Sequence, residues 1–206
     1  AKQTFVHKIL LPEVSFDEDK FLNGVEKDVG EHGYSVIVAS EGLKNENGEL
    51  YASSTETDSF GHNQLGGLAP KIASLITEKL GLKNHWSVAD YLQRSARHIS
   101  SLTDIEQAVA VGKAAVKLAA EGKSGVMPVI KRISDSPYEW SISEGDLNEI
   151  ANEEKTLPKH FISSDGFGIT KAGRDYLQPL IEGESFPKFN NGIPIYEGLD
   201  LHLRKI

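Results

Sequence analysis

Apolar residues recur along this chain with two spacings, one suited to strands and one to helices. Val6-His7-Lys8-Ile9-Leu10-Leu11, closed by Pro12-Glu13, is a short apolar run of the kind that forms a buried strand. Phe21, Leu22, Val25 and Val29 then share one helical face, ahead of Gly33, a residue suited to ending a helix. Ser15-Phe16-Asp17-Glu18, at the start of that face, has the form of a capping box. Tyr34-Ser35-Val36-Ile37-Val38-Ala39 is a second strand-like run and stops at Ser40-Glu41-Gly42. Strand, helix and strand within about 30 residues make a βαβ unit, which predicts two parallel strands.

Residues 43–66 are polar and glycine-rich, which predicts a long loop or a short hairpin. Leu68, Ile72, Leu75, Ile76 and Leu80 trace an amphipathic helix closed by Gly81. Trp86 to Leu92 reads as a third strand. Thr103-Asp104-Ile105-Glu106 is a second capping-box pattern, opening a helix that runs to Gly122, and Gly125 to Ile130 reads as a further strand. Beyond Lys131 prolines punctuate short segments, with helices expected near Leu147–Lys155 and Thr170–Ile181. By position the chain divides into 1–94, 95–135 and 136–206.

Composition narrows the class without naming it. The hydrophobic fraction of 39% and charged fraction of 25% are those of a globular chain able to bury a core. No apolar run approaches the ~20 residues of a membrane span, and no basic stretch precedes an apolar one as in a secretory signal. The net charge of −8 argues against non-specific nucleic-acid binding, which needs clustered Lys and Arg. It leaves room for a small anion, because a local pair of arginines outweighs distant, salt-screened charge. With no cysteine, disulfides and thiolate metal sites are excluded. The seven histidines are dispersed without His-Glu-x-x-His spacing, which argues against zinc. A cytoplasmic protein with neither membrane nor nucleic-acid partners is expected.

In an open parallel sheet, ligands bind beyond the carboxyl ends of the strands. Here that rule selects Glu13 after the first strand, Glu41 after the second, and Tyr91-Leu92-Gln93-Arg94 after the third, with Arg97 and His98 close behind. Carboxylates suit sugar hydroxyls and guanidinium groups suit phosphate, so one rim offers both halves of a sugar-phosphate site. Glu13 can equally serve the N-terminus of the following helix, and Arg94 with Arg97 can equally form a solvated basic patch. Gly61-His62-Asn63-Gln64-Leu65-Gly66-Gly67 runs into a helix, as loops that cradle phosphate do, but with neither P-loop nor dinucleotide spacing it reads first as a tight entry turn.

Taken in order, these segments resemble the phosphofructokinase family. Leu10-Leu11-Pro12-Glu13-Val14-Ser15-Phe16-Asp17 resembles its "PEIPFD" segment, and Glu41-Gly42 matches its "SEG" strand end. Asp58 to Gly67 is similar to the "FGHxQLGG" stretch of the pyrophosphate-dependent branch, where Tyr91 to Arg94 takes the place of a Tyr-x-x-Arg substrate motif. Ser136-Pro137-Tyr138 and Asp165 to Thr170 continue the similarity over essentially the whole chain.

The resemblance implies an α/β fold, three-layer αβα with a mostly parallel sheet, incomplete without an N-terminal half. It implies phosphoryl transfer from diphosphate to the 1-hydroxyl of fructose 6-phosphate with Mg²⁺, in glycolysis. Glu13 is then expected to bond the sugar and Arg94 its phosphate region, with Tyr91, Leu92 and Gln93 completing the substrate contact. Some ATP-using relatives also carry Tyr at the position of Tyr91, so an ATP-dependent enzyme is the neighbouring reading. The family's Gly-Gly-Asp, Thr-Ile-Asp-Asn and Met-Gly-Arg motifs, which carry donor binding, catalytic base and metal aspartate, are absent here. The expectation is therefore a C-terminal half, catalytically dead alone, with no catalytic or metal residues of its own. Residues 95–135 are expected to pack on the missing lobe, and the isolated chain to form homo-oligomers. A sugar-phosphate-binding or partner-binding module without turnover is the alternative.

Overall fold

The computed structural model describes residues 6–57, 63–65 and 67–195; the side chains of residues 53–57, 63–65 and Gln93 lie outside that description. The chain divides into two compact units, one of residues 1–89 and 154–176, the other of residues 90–153 and 177–206. The three positional segments expected from the sequence cut the chain differently, because residues 154–176 join the first unit. Two contacts show why: Ile9 N–H donates to the Phe167 carbonyl at 2.8 Å, and the Phe21 and Phe167 rings meet edge to face.

The first unit contains the expected βαβ element. β1 (Lys8–Leu10) pairs in parallel with β2 (Ile37–Ala39), with Lys8 opposite Ile37 and Leu10 opposite Ala39. The crossover is α1 (Glu18–His32), which buries Phe21, Leu22 and Val25 and ends where Gly33, at φ 81°, turns its N–H back to the Val29 carbonyl. The helix starts differently from the capping-box reading. Asp17 is the N-cap, accepting from the Lys20 amide at 2.9 Å, while Glu18 accepts from the Tyr51 hydroxyl at 2.6 Å. Burial, and after it the bond to Glu18, raises the Tyr51 pKa.

β3 (Ser53–Thr57) and β4 (Asn63–Leu65) form an antiparallel hairpin, the shorter of the two structures foreseen for residues 43–66. α2 (Leu68–Leu80) buries Leu68, Ile72, Leu75 and Ile76 and packs with α1. Each such side chain removed from water stabilises the fold by roughly 1.5–3 kcal/mol. Lys8 threads this core at 6% exposure, pairs with Asp28 at 2.9 Å and lies over the Phe167 ring. Gly24 makes the passage possible, since a Cβ there would stand 2.8 Å from the Lys8 ammonium.

The second unit opens with α3 (Leu92–Ser95) and a 3-10 turn (Arg97–Ile99), followed by α4 (Leu102–Ala120). The expected third strand from Trp86 to Leu92 is therefore not formed. Residues 82–90 have no regular element, Trp86 and Val88 are exposed, and no strand among the described residues pairs with them. Alternation alone cannot supply the ladder partner that a strand requires. α4 is the expected long helix, but Ser101 rather than Thr103 caps it, accepting from the Asp104 amide at 3.0 Å.

β5 (Val126–Asp135) is longer than foreseen and forms a hairpin with an unforeseen β6 (Tyr138–Asp146) across Ser136-Pro137. Gln107, buried on α4, donates to the Tyr138 hydroxyl at 2.7 Å, and the Arg132 guanidinium lies over that ring. α5 (Leu147–Ile150) is shorter than expected, because Ala151 is extended and Asn152 takes φ 64°. In the first unit α6 (Lys171–Leu177) begins, and a 3-10 turn (Gln178–Ile181) extends it much as read from the sequence. β7 (Phe189–Asn190) and β8 (Ile193–Pro194) form a small hairpin.

The fold is α/β, as expected. Among the described residues parallel pairing is confined to β1 and β2, and the other three strand pairs are antiparallel. No described helix is long and apolar enough to cross a membrane.

Candidate sugar-phosphate site

Parallel pairing brings the two strand ends to one side, and the turns that follow them stand together. Ser40 N–H donates to the Leu10 carbonyl at 3.1 Å, and Pro12 lies 3.4 Å from where a Cβ on Gly42 would be. This is the rim on which Glu13 and Glu41 were expected. Their carboxylates differ in one respect that matters chemically. Glu13 Oε1 accepts the Leu157 main-chain N–H at 2.8 Å, so it already ties down the 154–158 segment. Glu41 has an oxygen, Oε2, that is buried without a hydrogen-bond partner among the described residues.

A buried acceptor left unpaired costs about 1–3 kcal/mol, so such an atom calls for a donor. The strand-end rule selects both glutamates, and the resemblance assigns a sugar bond to Glu13. Glu41 is half-buried after β2, in a turn closed by Leu43 N–H on the Ser40 carbonyl at 3.0 Å, and only its Oε2 is enclosed. The strand-end rule already pointed to it; burial separates the two.

Tyr91, Leu92, Gln93 and Arg94 belong to the second unit and form a helical turn instead of a strand end. Arg94 N–H and Ser95 N–H both donate to the Tyr91 carbonyl at 3.0 Å, and Ser95 Oγ adds a third bond to it at 3.1 Å. Tyr91 and Leu92 are 71% and 70% exposed, an unusual state for two large side chains side by side. The Arg94 guanidinium carbon lies 5.6 Å from the Tyr91 ring centre, and Arg94 has no ion pair among the described residues. A cation steadied by an aromatic face, and free of carboxylate, suits a phosphate. The Gln93 side chain lies outside the described residues.

Arg97, the second cation, is committed elsewhere: Nη2 donates to Ser185 Oγ at 3.0 Å and Nη1 to the Ser185 carbonyl. The glycine-rich stretch 61–67 falls largely outside the described residues. Within it residues 63–65 are β4, and Gly67, at φ 81°, leads into α2.

The first unit also holds a cleft of about 270 Å³ that includes neither Glu13 nor Glu41. It lies between Val14, Asp17, Lys20 and the Asp165-Gly166-Phe167 turn. Asp165 accepts from Ser163 Oγ at 2.5 Å and from Phe167 N–H at 3.0 Å. These bonds, the hydroxyl's first, hold its carboxyl below the usual carboxylate range. Its bonds are internal to the turn, as is common for Asp at such positions. No group of three or more His, Asp or Glu among the described residues could hold a metal ion.

No family model matches the chain. Over 188 residues it is 57% identical to the pyrophosphate–fructose 6-phosphate 1-phosphotransferase of Methylococcus capsulatus, covering 91% of this chain and 45% of that one. It is 52% identical over 196 residues to the protein of the same name from Halomonas elongata, covering 95% and 47%. Among solved structures, the pyrophosphate-dependent phosphofructokinase of Marinobacter aquaeolei superposes with a TM-score of 0.79 at 49% identity, covering 97% of this chain and 46% of that one. The chain spans about half the length of the curated relatives it matches.

Proposed function

We propose that this chain, a portion of a pyrophosphate-dependent phosphofructokinase by its sequence and its fold, supplies the fructose-6-phosphate side of such an enzyme. The reaction is transfer of a phosphoryl group from diphosphate to the 1-hydroxyl of fructose 6-phosphate, a glycolytic step carried out in the cytoplasm. The observation that carries the reading is the exposed Tyr91–Arg94 turn, whose guanidinium has no acidic partner among the described residues. Arg94 grips the phosphate, with Tyr91, Leu92 and Gln93 around it. Glu13 accepts from a sugar hydroxyl and holds the segment at Leu157, and Glu41 offers its enclosed Oε2 as a further acceptor.

The described residues offer no ligand set that fits Mg²⁺. The ion, the catalytic base and the diphosphate are assigned to the other half of the enzyme. Segment 95–135 packs on that half, which the exposure of Val109, Val116, Ile130 and Ile133 supports. Where that half is missing, the same surface drives association into homo-oligomers.

Calorimetry with fructose 6-phosphate tests the site. Arg94→Ala is expected to weaken binding about 10- to 100-fold, the value of one charge-assisted contact. Equal affinity in the variant would remove Arg94 from the site. Turnover from diphosphate and fructose 6-phosphate is expected only when the chain is joined to the remaining half of the enzyme, and activity of the 206-residue chain alone would overturn that division of labour.

A further inference from the structure

The turn that carries Arg94 is too short to hold its own shape. α3 has four residues, and a single helical turn gains too little from its own hydrogen bonds to offset the entropy of ordering it. Upstream, residues 82–90 form no regular element, and Asp90 sits at φ 44°. What fixes the turn must act from its C-terminal side.

There the chain from Arg97 to Thr103 is fastened to the segment Leu180–Ser185. Ser101 Oγ donates to the Leu180 carbonyl at 2.7 Å, and Leu102 N–H to the Gly183 carbonyl at 3.0 Å. The amide and hydroxyl of Thr103 both donate to the Glu182 carbonyl at 3.3 Å. Ser101 and Glu184 pair as an antiparallel bridge, and Arg97 closes the series through both terminal nitrogens on Ser185. The approach depends on Gly183, at φ 77°, where a Cβ would come within 2.6 Å of Leu102 Cβ.

We propose that Leu180–Ser185 is a strap that sets the orientation of the Tyr91–Arg94 turn, and that Arg97 is a positioning residue acting through Ser185 rather than a ligand contact. The proposal rests on reading that turn as the sugar-phosphate site. Two arginines three positions apart divide the work: Arg97 is held by the strap, and Arg94 has no ion pair among the described residues. The main chain transmits the constraint over a short path. Ala96 N–H closes α3 on the Leu92 carbonyl at 2.9 Å, and Ile99 N–H opens the next turn on the Ala96 carbonyl at 3.0 Å. Loosening the strap removes no contact with a ligand. It raises the entropy lost when Arg94 is ordered on binding.

Amide hydrogen exchange at Arg94, Ser95 and Ala96 tests the strap, with the β5–β6 amides as internal reference. Arg97→Ala, which removes both hydrogen bonds to Ser185, is expected to speed exchange at those three amides by about tenfold or more and to leave β5–β6 unchanged. Unchanged exchange at the three amides overturns the proposal. Fructose 6-phosphate calorimetry then separates positioning from contact. Ser185→Ala is expected to weaken binding although it removes no charge, and the Arg97→Ala/Ser185→Ala pair to bind no more weakly than Arg97→Ala alone. Full restoration of affinity by Arg97→Lys, together with unaltered affinity in Ser185→Ala, would make Arg97 a direct charge contact and sink the strap. If the wild-type chain shows no heat with fructose 6-phosphate, the site reading falls, and the exchange measurement still decides the strap.

Discussion

The two compact units are built on different principles. Every buried apolar residue among the described ones lies in the first unit, from Leu10 and Phe16 through Phe21, Leu43 and Leu68 to Ile76. In the second unit the buried residue is a glutamine, Gln107, while Val109, Val116, Ile133, Ile181 and Phe186 are exposed. The first unit is thus a small domain closed around its own side chains. The second is held by backbone ladders, the Gln107–Tyr138 bond and the strap at Leu180–Ser185, and it keeps its apolar residues outward. A region with regular secondary structure but little core has the composition of an interface. This contrast also fits a chain spanning about half the length of its relatives.

Truncating one apolar side chain in each unit is the strongest way to break the comparison. Phe21 is fully buried, and Phe21→Ala is expected to destabilise the first unit by about 3–5 kcal/mol, the usual cost of emptying such a site. Val116 is 71% exposed, and Val116→Ala is expected to change the second unit by no more than about 0.5 kcal/mol. Urea denaturation followed by amide resonances of each unit reads both. A comparable loss in the two variants would show that α4 is buried in solution.

A finer cut uses one glycine from each unit. A Cβ on Gly24 would meet the Lys8 Cε and Nζ at 2.8 Å, where burial, Asp28 and the Phe167 ring leave the lysine nowhere to go. Alanine gains about 1 kcal/mol in a helix, yet disturbing a buried ion pair costs more, so Gly24→Ala is expected to lose about 2 kcal/mol net. A Cβ on Gly145 would come still closer to Ile150 Cδ1, at 2.4 Å. Ile150 is 37% exposed and its tip can swing outward, so Gly145→Ala is expected to cost less than about 1 kcal/mol. The same denaturation experiment ranks them, and the reverse order would show the second unit to be the more tightly packed.

The same contrast explains what was legible in the sequence. β1, α1, β2 and α2 could be read because each buries one face against the others, so periodicity and the glycines at 33 and 81 carry the information. Tyr138-Glu139-Trp140-Ser141-Ile142-Ser143-Glu144 alternates cleanly, yet the neighbouring prolines read as punctuation and hide the hairpin turn. Trp86 to Leu92 fails in the opposite sense: its pattern suits a strand, but pairing depends on a neighbour that the pattern cannot supply. Residue type and order single out Tyr91 to Arg94 and both strand-end glutamates as candidates for the site. That Glu13 is taken by Leu157 N–H, and Arg97 by Ser185, rests on contacts between residues 144 and 88 positions apart. Local sequence holds no trace of either.

The smallest expected effect separates the units by pH. In the first unit the Asp165 carboxyl is held below its ordinary value, chiefly by the Ser163 hydroxyl and then by the Phe167 amide. As pH falls below the ordinary carboxylate value of about 4, the unfolded chain takes up this proton before the folded one does. The stabilisation is therefore complete above that value and is lost as pH falls through the lowered one. In the second unit Lys123 is raised by its bond to Glu144. Its contribution is complete below the ordinary lysine value and is lost as pH rises through the raised one, though full solvent exposure keeps it slight. Acid titration of the amide resonances should thus erode the first unit with a component that Asp165→Asn flattens. Alkaline titration should loosen the Lys123–Glu144 end of the hairpin, and Glu144→Gln should remove that dependence. An acid limb unaffected by Asp165→Asn would mean that the turn beside the first unit's cleft adds nothing to its stability.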